Sequence, residues 1–341
     1  MATRLGPTRA TTRAGLLVEL RLPSGEIGRG EAAPAYWLDG SRLDLVETEL
    51  RAFAASRAAC RLLESYAIDD VSALPATLSP AARCALDTAL LDVTAQRRGM
   101  SVTELLGGAA ETALDVGALL VGETSDAIHG EAATLVARGF GVLKLKVGGV
   151  DAALDVARIR AARAGGGGAV RLRLDANRAW DESTACEVLA AVASPDVEYV
   201  EEPLRTPEPA ALARLRRRTG VALAMDESVR TADCIMRFAA CGACDVIVLK
   251  LVRIGGPRAA LALARHARAL GLQVALTDSI ETIVGRSATV HVAAALSRPH
   301  RAVGLGGTTL LARDVTVATA PEAGPQVLAR GPGLGLQREA R

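Results

Sequence analysis

Hydrophobic and polar residues follow two different patterns along the chain. Near the N-terminus, residues 16–22 (LLVELRL) and the stretch after the GEIGRG turn have the short apolar runs of β-strands, and residues 42–60 and 79–98 have helical spacing. From about residue 114 onward, a short run rich in branched residues is repeatedly followed by a longer segment of Ala, Leu and Arg. The first part predicts an α+β domain, and the second predicts a repeated strand–helix unit.

Strand candidates in the second part recur roughly 21 to 30 residues apart. They are residues 115–121, 142–147, 170–176, 197–203, 221–227, 245–250, 273–279 and the weaker 302–305. A parallel barrel and an open doubly wound sheet both give this alternation, but ionisable residues recur at successive strand ends, and these all meet at one mouth only in a barrel. We therefore predict an α/β fold, a (β/α)7β-type TIM-like barrel over residues 111–318 with an N-terminal α+β capping domain over residues 1–110.

Composition and charge limit the partners and the location expected for the protein. The 341 residues carry 40 basic and 38 acidic side chains, a formal net charge of +2 without a basic stripe, so nucleic acid is not expected as a partner. No apolar run is long enough to span a membrane and no secretion signal is visible, so we expect no membrane partner and a cytoplasmic location. The Pro- and Gly-rich tail, residues 319–341, is expected to pack on the capping domain.

Three acidic residues end three consecutive predicted strands. Asp175 lies in LRLDANRAW, Glu201 in VEYVEEPL and Asp226 in LAMDES. Carboxylates that converge from neighbouring strands offer the hard oxygen ligands that Mg²⁺ prefers, and Mn²⁺ accepts the same ligands. One such residue alone would more commonly cap the next helix or form a salt bridge. Three in succession, accompanied by lysines, favour a divalent metal site.

Three lysines at strand ends complete this pattern. Lys144 and Lys146 alternate in VLKLKV, so both side chains point to the same face of the strand, the barrel interior. Lys250 ends a later strand, DVIVLK, across the mouth from Lys146. An unperturbed lysine, with a pKa of ~10.4, is almost entirely protonated at pH 7, so a lysine base needs neighbouring cations or burial to lower its pKa. We predict Lys146 and Lys250 as the catalytic lysines.

The motifs KLK, DAN, EEP, DES and a strand-terminal lysine followed by a glycine pair (VLKLVRIGG) occur in this order across the predicted barrel. In order and spacing they resemble the muconate lactonizing subgroup of the enolase superfamily. RLRLDANRAW and LTDSIETIVG are most similar to the o-succinylbenzoate synthases. The resemblance implies Asp175, Glu201 and Asp226 as magnesium ligands, Lys146 as the catalytic acid/base and Lys250 as the lysine opposite.

The same resemblance implies the substrate contacts. Arg173 matches an arginine near the ring of the substrate, and the backbone of residues 277–279 and Gly285 matches the segment that holds its succinyl tail. Asp278 departs from the family pattern, which has a small hydroxyl residue there, and its carboxylate would repel the tail unless it turns away or pairs with a cation such as Arg286 or Arg253. The predicted substrate-binding residues are Lys144, Arg173, Asn177, Thr277, Asp278, Ser279 and Gly285.

The activity implied is that of a carbon–oxygen lyase of menaquinone biosynthesis. Its reaction is the syn-dehydration of 2-succinyl-6-hydroxy-2,4-cyclohexadiene-1-carboxylate to 2-succinylbenzoate. One alternative is a racemase of N-acyl amino acids or a dipeptide epimerase, which would use the same metal and both lysines, and in which Asp278 could bind a substrate ammonium group. Another is a non-catalytic barrel that acts as a binding protein. The expected partner is a small-molecule carboxylate, bound by a monomer or homo-oligomer.

The capping domain starts near the second strand of the family pattern, so its first strand is expected to be short or absent.

Overall fold

The computed structural model describes most of the chain, with gaps. The described residues are 3–5, 8–10, 12–36, 40–57, 59, 74–110, 112–192, 197–296, 301–306, 311, 314–315, 326–328 and 330–336. The helix predicted over 42–60 and the tail predicted over 319–341 therefore lie partly outside the described residues.

The N-terminal part combines antiparallel strand pairs with helices. In chain order its described elements are β1 (Thr3–Leu5), β2 (Thr8–Ala10), β3 (Leu16–Arg21), β4 (Ile27–Ala32), α1 (Leu43–Ala54), α2 (Pro80–Arg98) and α3 (Val102–Leu105). β1 pairs with β2 and β3 pairs with β4, both antiparallel. The first two strands have three residues each.

Helix α2 packs against strands β3 and β4 and helices α1 and α3, and both of its ends are capped. The Ser79 side chain accepts a hydrogen bond from the N–H of Ala82, Pro80 occupies the first turn, and Gly99 follows the last turn at φ +66° in the left-handed region. A Cβ at Gly30 of β4 would overlap the carbonyl oxygen of Ala85. Glycine at that position therefore lets β4 pack directly on α2.

The rest of the described chain alternates parallel strands with helices. In order the elements are β5 (Ala113–Leu120), α4 (Ser125–Ala137), β6 (Val142–Lys146), α5 (Ala152–Gly166), β7 (Arg171–Asp175), α6 (Glu182–Val192), β8 (Val197–Glu201), α7 (Pro209–Thr219), β9 (Leu223–Met225), α8 (Ala232–Ala240), β10 (Val246–Leu249), α9 (Leu251–Ile254), α10 (Pro257–Ala269), β11 (Gln273–Leu276), α11 (Ile283–Ala295), β12 (Val303–Gly304) and the terminal β13 (Gln326–Leu328).

The parallel strands close into a barrel. Hydrogen-bonded neighbours follow the order β11, β10, β9, β8, β7, β6, β5, β12, and a parallel bridge between Thr277 and Gly304 joins the two ends. Inside, alternate side chains of β8 to β11 form an apolar cluster that includes Tyr199, Val248 and Ala275. The closed order confirms the predicted (β/α)7β-type barrel and excludes the open sheet.

The described part of the tail contacts both halves of the molecule. β13 pairs antiparallel with β5 of the barrel, and the N–H of Leu334 donates to Asp92 of α2 at 2.9 Å. The sequence predicts packing on the capping domain, and the pairing with a barrel strand is an addition to that expectation. Within the described residues, no helix has the length and apolar character needed to cross a membrane.

Candidate active site

Three carboxylates lie at the ends of β7 and β8 and just after β9. Asp175, Glu201 and Asp226 are each 1% exposed. Strand register places them side by side, because Asp175 pairs directly with Glu201. Burial and the charge of Asp175 raise the pKa of Glu201 to about 8. For Asp226, burial acts in the same direction, but the cations around it outweigh burial and lower its pKa. The strand-end placement predicted from the sequence is what the structure shows.

Lys144 and Lys250 neutralise this cluster from within the barrel. Lys144 Nζ lies 2.8 Å from an oxygen of Asp175 and 2.7 Å from an oxygen of Glu201. Lys250 Nζ donates to Asp226 Oδ2. Burial alone would lower the pKa of Lys250, but the carboxylates of Asp226 and Glu201 outweigh burial and raise it. In this arrangement Lys250 is an ammonium ion, and Lys144 is held between two of the predicted metal ligands.

Lys146 is the most accessible of the three lysines. Its side chain is 47% exposed, and its Nζ lies 3.3 Å from Asp175 Oδ2. It donates to Asn177 Oδ1 at 2.6 Å, and the amide of Asn177 in turn donates to Glu227 Oε1 at 2.7 Å. Asn177, predicted to bind substrate, thus also orients Lys146. Because β6 and β10 lie apart in the barrel, Lys146 and Lys250 approach the carboxylates from different sides.

Arg173 lies one layer below the carboxylates rather than at the mouth. The register between β7 and β8 shifts at this point, so Glu198 is an extra residue in a bulge. Arg173 donates to Glu198 Oε2 at 2.6 Å and to the carbonyl oxygen of Ala302 at 2.9 Å, and its guanidinium carbon is 5.1 Å from the centre of the Tyr199 ring. These contacts connect strands across the barrel, and Nη2 of Arg173 has no hydrogen-bond partner among the described residues. Contact of Arg173 with the substrate ring stays a prediction.

The loop after β11 is predicted to hold the substrate tail through its backbone, but internal partners occupy the N–H groups. The N–H of Thr277 donates to the carbonyl oxygen of Leu249 at 3.1 Å, and the N–H of Asp278 donates to that of Gly304 at 2.9 Å. Both bonds continue the barrel hydrogen bonding beyond the strand end. These two N–H groups are therefore not free to bind a carboxylate.

The other two predicted backbone donors are also occupied. The N–H of Ser279 donates to the carboxylate of Glu281. The N–H of Gly285 donates at 3.0 Å to Glu31 of β4, which also accepts from the N–H of Thr282. The hydroxyl of Ser279 is buried and has no hydrogen-bond partner among the described residues. If the tail binds at these four residues, the Ser279 side chain rather than their backbone is the available donor.

Asp278 is a buried residue of this loop. Ala275 faces the interior, so strand alternation turns Thr277 inward and Asp278 outward. Burial raises the pKa of Asp278 to about 7, against the charges of Arg286 and Lys250. Arg286 itself lies 2.7 Å from Asp314. Strand alternation favours the outward placement, and the charges of Arg286 and Lys250 also act on the Asp278 carboxylate, so both conditions set for a succinyl substrate have support.

Comparison with known proteins gives the family. A model of the "Enolase C-terminal domain-like" family matches residues 127–340. The chain belongs to the enolase superfamily. Muconate cycloisomerase 1 of Pseudomonas putida is 31% identical over 266 residues, which cover 76% of this chain and 71% of that protein. This similarity places the chain among the superfamily members related to muconate cycloisomerases, as the barrel motifs predict.

Within the superfamily, the similar proteins have different activities. The L-Ala-D/L-Glu epimerase of Bacillus subtilis is 29% identical over 330 residues, covering 95% of this chain and 89% of that protein. The o-succinylbenzoate synthase of Thermobifida fusca is 43% identical over 188 residues, covering 54% of this chain and 58% of that protein. A structure of the dipeptide epimerase of Enterococcus faecalis with Mg and the dipeptide L-Leu-L-Tyr matches with a TM-score of 0.83 at 27% identity, over 95% of this chain and 92% of that chain.

The donor set of this superfamily member fits a divalent cation. Asp175, Glu201 and Asp226 are all oxygen donors, and Oε1 of Glu201 is buried without a hydrogen-bond partner among the described residues, so it is an acceptor that a cation would satisfy. Lysine ammonium groups lie among these oxygens. In the described part of the chain, no three Asp, Glu, His or Cys side chains are already arranged as a metal site. The fit therefore rests on donor chemistry and burial.

Sequence reasoning missed Glu202 and Glu227, and it gave Arg253 a different partner. Glu202 and Glu227 each directly follow a predicted metal ligand, and Arg253 lies three residues after Lys250. Arg253 Nη1 lies 2.7 Å from Asp226 Oδ1, rather than pairing with Asp278. Burial raises the pKa of Glu202 to about 7, although an arginine and hydrogen bonds oppose it. The sequence signal for Glu202 and Glu227 was the pair of acidic doublets, EE and DE, at the ends of consecutive strands.

Proposed function

We propose that this chain is an o-succinylbenzoate synthase, which dehydrates 2-succinyl-6-hydroxy-2,4-cyclohexadiene-1-carboxylate. The observation that carries the proposal is the placement of two lysines on different sides of one buried carboxylate cluster, with Lys146 open to the mouth and Lys250 within the barrel. The choice of substrate is supported by the 43% identity over 188 residues to the Thermobifida fusca synthase, compared with 29% over 330 residues to the Bacillus subtilis epimerase.

Lys146 is the proposed base and acid. Its amine, held by Asn177, takes the proton from the carbon next to the substrate carboxylate. The resulting ammonium group then protonates the departing hydroxyl on the same face, so one C–H and one C–O bond break and one water leaves. Lys250, from the other side of the cluster, stabilises the negative charge that develops between these two steps.

Asp175, Glu201 and Asp226 are the proposed ligands of Mg²⁺, with Mn²⁺ as a substitute. When bound, the ion would supply Lewis-acid stabilisation of the substrate carboxylate. The outward turn of Asp278 and the free hydroxyl of Ser279 are compatible with a succinyl tail at the loop after β11. A cytoplasmic location and a monomeric or homo-oligomeric state remain predictions from the sequence.

A second candidate is a racemase or epimerase of N-acyl amino acids or dipeptides. It is favoured by the extent of similarity to the Bacillus subtilis epimerase, 95% of this chain. In that reaction each lysine would serve one stereoisomer, because the proton leaves from one face and returns to the other.

Deuterium exchange separates the two candidates. With an N-succinyl amino acid in D₂O, an epimerase should incorporate deuterium into both stereoisomers, and Lys250→Arg should still exchange the isomer that Lys146 serves. For a synthase we expect exchange on one face only, and Lys146→Ala should abolish it together with turnover of the cyclohexadiene. NMR of each isomer measures this. Exchange on both faces at comparable rates would count against the synthase.

A further inference from the structure

Glu202 lies directly after β8, where three strand-end loops meet. It is fully buried, and its φ of +43° is in the left-handed region, which is strained for a residue with a side chain. Its backbone continues the barrel hydrogen bonding. The N–H of Glu202 donates to the carbonyl oxygen of Ala224 at 2.9 Å, and its own carbonyl oxygen accepts from the N–H of Arg178 at 2.8 Å. The surrounding contacts hold this conformation in place.

Its carboxylate accepts hydrogen bonds from two neighbouring loops. Oε1 accepts from the N–H of Asp226 at 2.9 Å and from the N–H of Ser228 at 2.7 Å. Oε2 accepts from the hydroxyl of Ser228 at 2.8 Å and from Nε of Arg178 at 3.2 Å. Arg178 belongs to the loop after β7, and Asp226 and Ser228 belong to the loop after β9. One side chain therefore links the loops that follow three consecutive strands.

The proposed metal ligands lie on the same elements. Asp175 ends β7, Glu201 ends β8 and Asp226 begins the loop after β9. Without the Glu202 carboxylate, the N–H groups of Asp226 and Ser228 would lose their partner in a buried or partly buried environment, where an unsatisfied donor is unfavourable. The loop would relax to recover hydrogen bonds, and the Asp226 carboxylate would move with it. The bonds to Glu202 oppose that movement.

We propose that Glu202 is a positioning residue that fixes the loop carrying Asp226 relative to Asp175 and Glu201, and so sets the affinity for the divalent metal. This inference rests on the proposed metal site. Glu202 itself does not touch the substrate, since its two oxygens are both directed to protein donors. Residues that orient metal ligands in this way typically change metal affinity by about 10–100-fold when replaced.

The test compares two Glu202 variants with a matched control elsewhere. Glu202→Ala removes all four hydrogen bonds, whereas Glu202→Gln keeps an oxygen for the two backbone N–H groups and loses mainly the contact with Arg178. Asp92→Ala is the control, because Asp92 is also a buried carboxylate that accepts from two backbone N–H groups, those of Arg29 and Leu334 at 2.8 and 2.9 Å. It lies on α2 and makes none of the contacts of the carboxylate cluster.

Calorimetric titration with Mg²⁺ and hydrogen exchange are the two readouts. We expect Glu202→Ala to raise the Mg²⁺ dissociation constant by about 10–100-fold, Glu202→Gln to raise it by less than about tenfold, and Asp92→Ala to leave it within about twofold despite a similar loss of thermal stability. Amide exchange in residues 223–229 should accelerate in Glu202→Ala and not in Asp92→Ala.

A Mg²⁺ affinity in Glu202→Ala equal to that of the wild type would overturn the inference and leave the metal site intact, and so would an equal loss in Asp92→Ala. A wild-type protein that bound no Mg²⁺ would overturn the proposed metal site, and this inference with it. The two failures are therefore distinguishable.

Discussion

Lys250 and Arg253 are two buried cations that both contact the carboxylate of Asp226. We expect only Lys250 to be essential for turnover. Lys250 Nζ contacts Asp226 Oδ2, and Arg253 Nη1 lies 2.7 Å from Asp226 Oδ1. Replacing either by methionine removes one cation and keeps most of the aliphatic volume. Breaking a buried ion pair outright costs about 3–5 kcal/mol. Here Asp226 keeps the other cation, so each variant should lose only about 1.5–3 kcal/mol, the range for one hydrogen bond to a charged group.

Turnover should separate the two variants. Lys250 is proposed to stabilise charge on the reacting substrate, and loss of such a group lowers kcat by about 10²–10³-fold. The other hydrogen bond of Arg253 goes to the carbonyl oxygen of Glu227, at 3.1 Å, so Arg253→Met should act through Asp226 and the metal. Once Mg²⁺ is saturating, its kcat should stay within about tenfold of the wild type.

The assay is kcat at saturating Mg²⁺, measured beside the free energy of unfolding in urea for both variants. Equal stability losses with unequal kcat are the expected result. If Lys250→Met and Arg253→Met lowered kcat by the same factor, the role of Lys250 toward the substrate would be refuted, because both residues would then act only through Asp226.

Two further predictions concern buried titratable groups. Burial lowers the pKa of His291 from 6.5 to about 4, so its neutral ring contributes on the order of 3 kcal/mol that is fully present above pH 6.5 and is lost as the pH falls toward 4. Between about pH 7.5 and 4.5, the wild type should lose about 2–3 kcal/mol more stability to urea than His291→Asn, and parallel curves would contradict this. Asp278→Ser should leave kcat/KM for the cyclohexadiene unchanged or raise it, because Asp278 turns outward. A fall of one or two orders of magnitude with a dipeptide substrate would instead identify Asp278 as an ammonium anchor.

The local sequence pattern was sufficient to predict the barrel strands and the carboxylates at their ends. Each of the predicted strands is present, because short segments rich in branched apolar residues and bounded by polar turns are typical of buried parallel strands. Period-two alternation also predicted that Lys144 and Lys146 share a face, and both reach Asp175. Strand ends were less predictable. The run 197–203 continues past Glu201 in the sequence, but Glu202 leaves the strand with a positive φ.

Contacts between residues far apart in the chain could not be predicted from the local sequence pattern. The bulge that turns Glu198 toward Arg173 depends on how β7 and β8 pair, and nothing in either strand alone signals it. The N–H of Gly285 is occupied by Glu31, which lies 254 positions earlier in the chain. A prediction that assigned that N–H to the substrate could not have anticipated the partner, because it comes from the N-terminal strand pair.

The most direct test is to incubate the protein with 2-succinyl-6-hydroxy-2,4-cyclohexadiene-1-carboxylate and Mg²⁺ and to follow aromatisation by absorbance. We predict turnover that stops with excess chelator, returns with Mg²⁺ or Mn²⁺, and is abolished in Asp226→Asn, a variant that should still fold although Lys250 and Arg253 lose their charged partner. Absence of turnover, together with epimerisation of a dipeptide or an N-acyl amino acid by the same preparation, would contradict the synthase assignment and favour the epimerase.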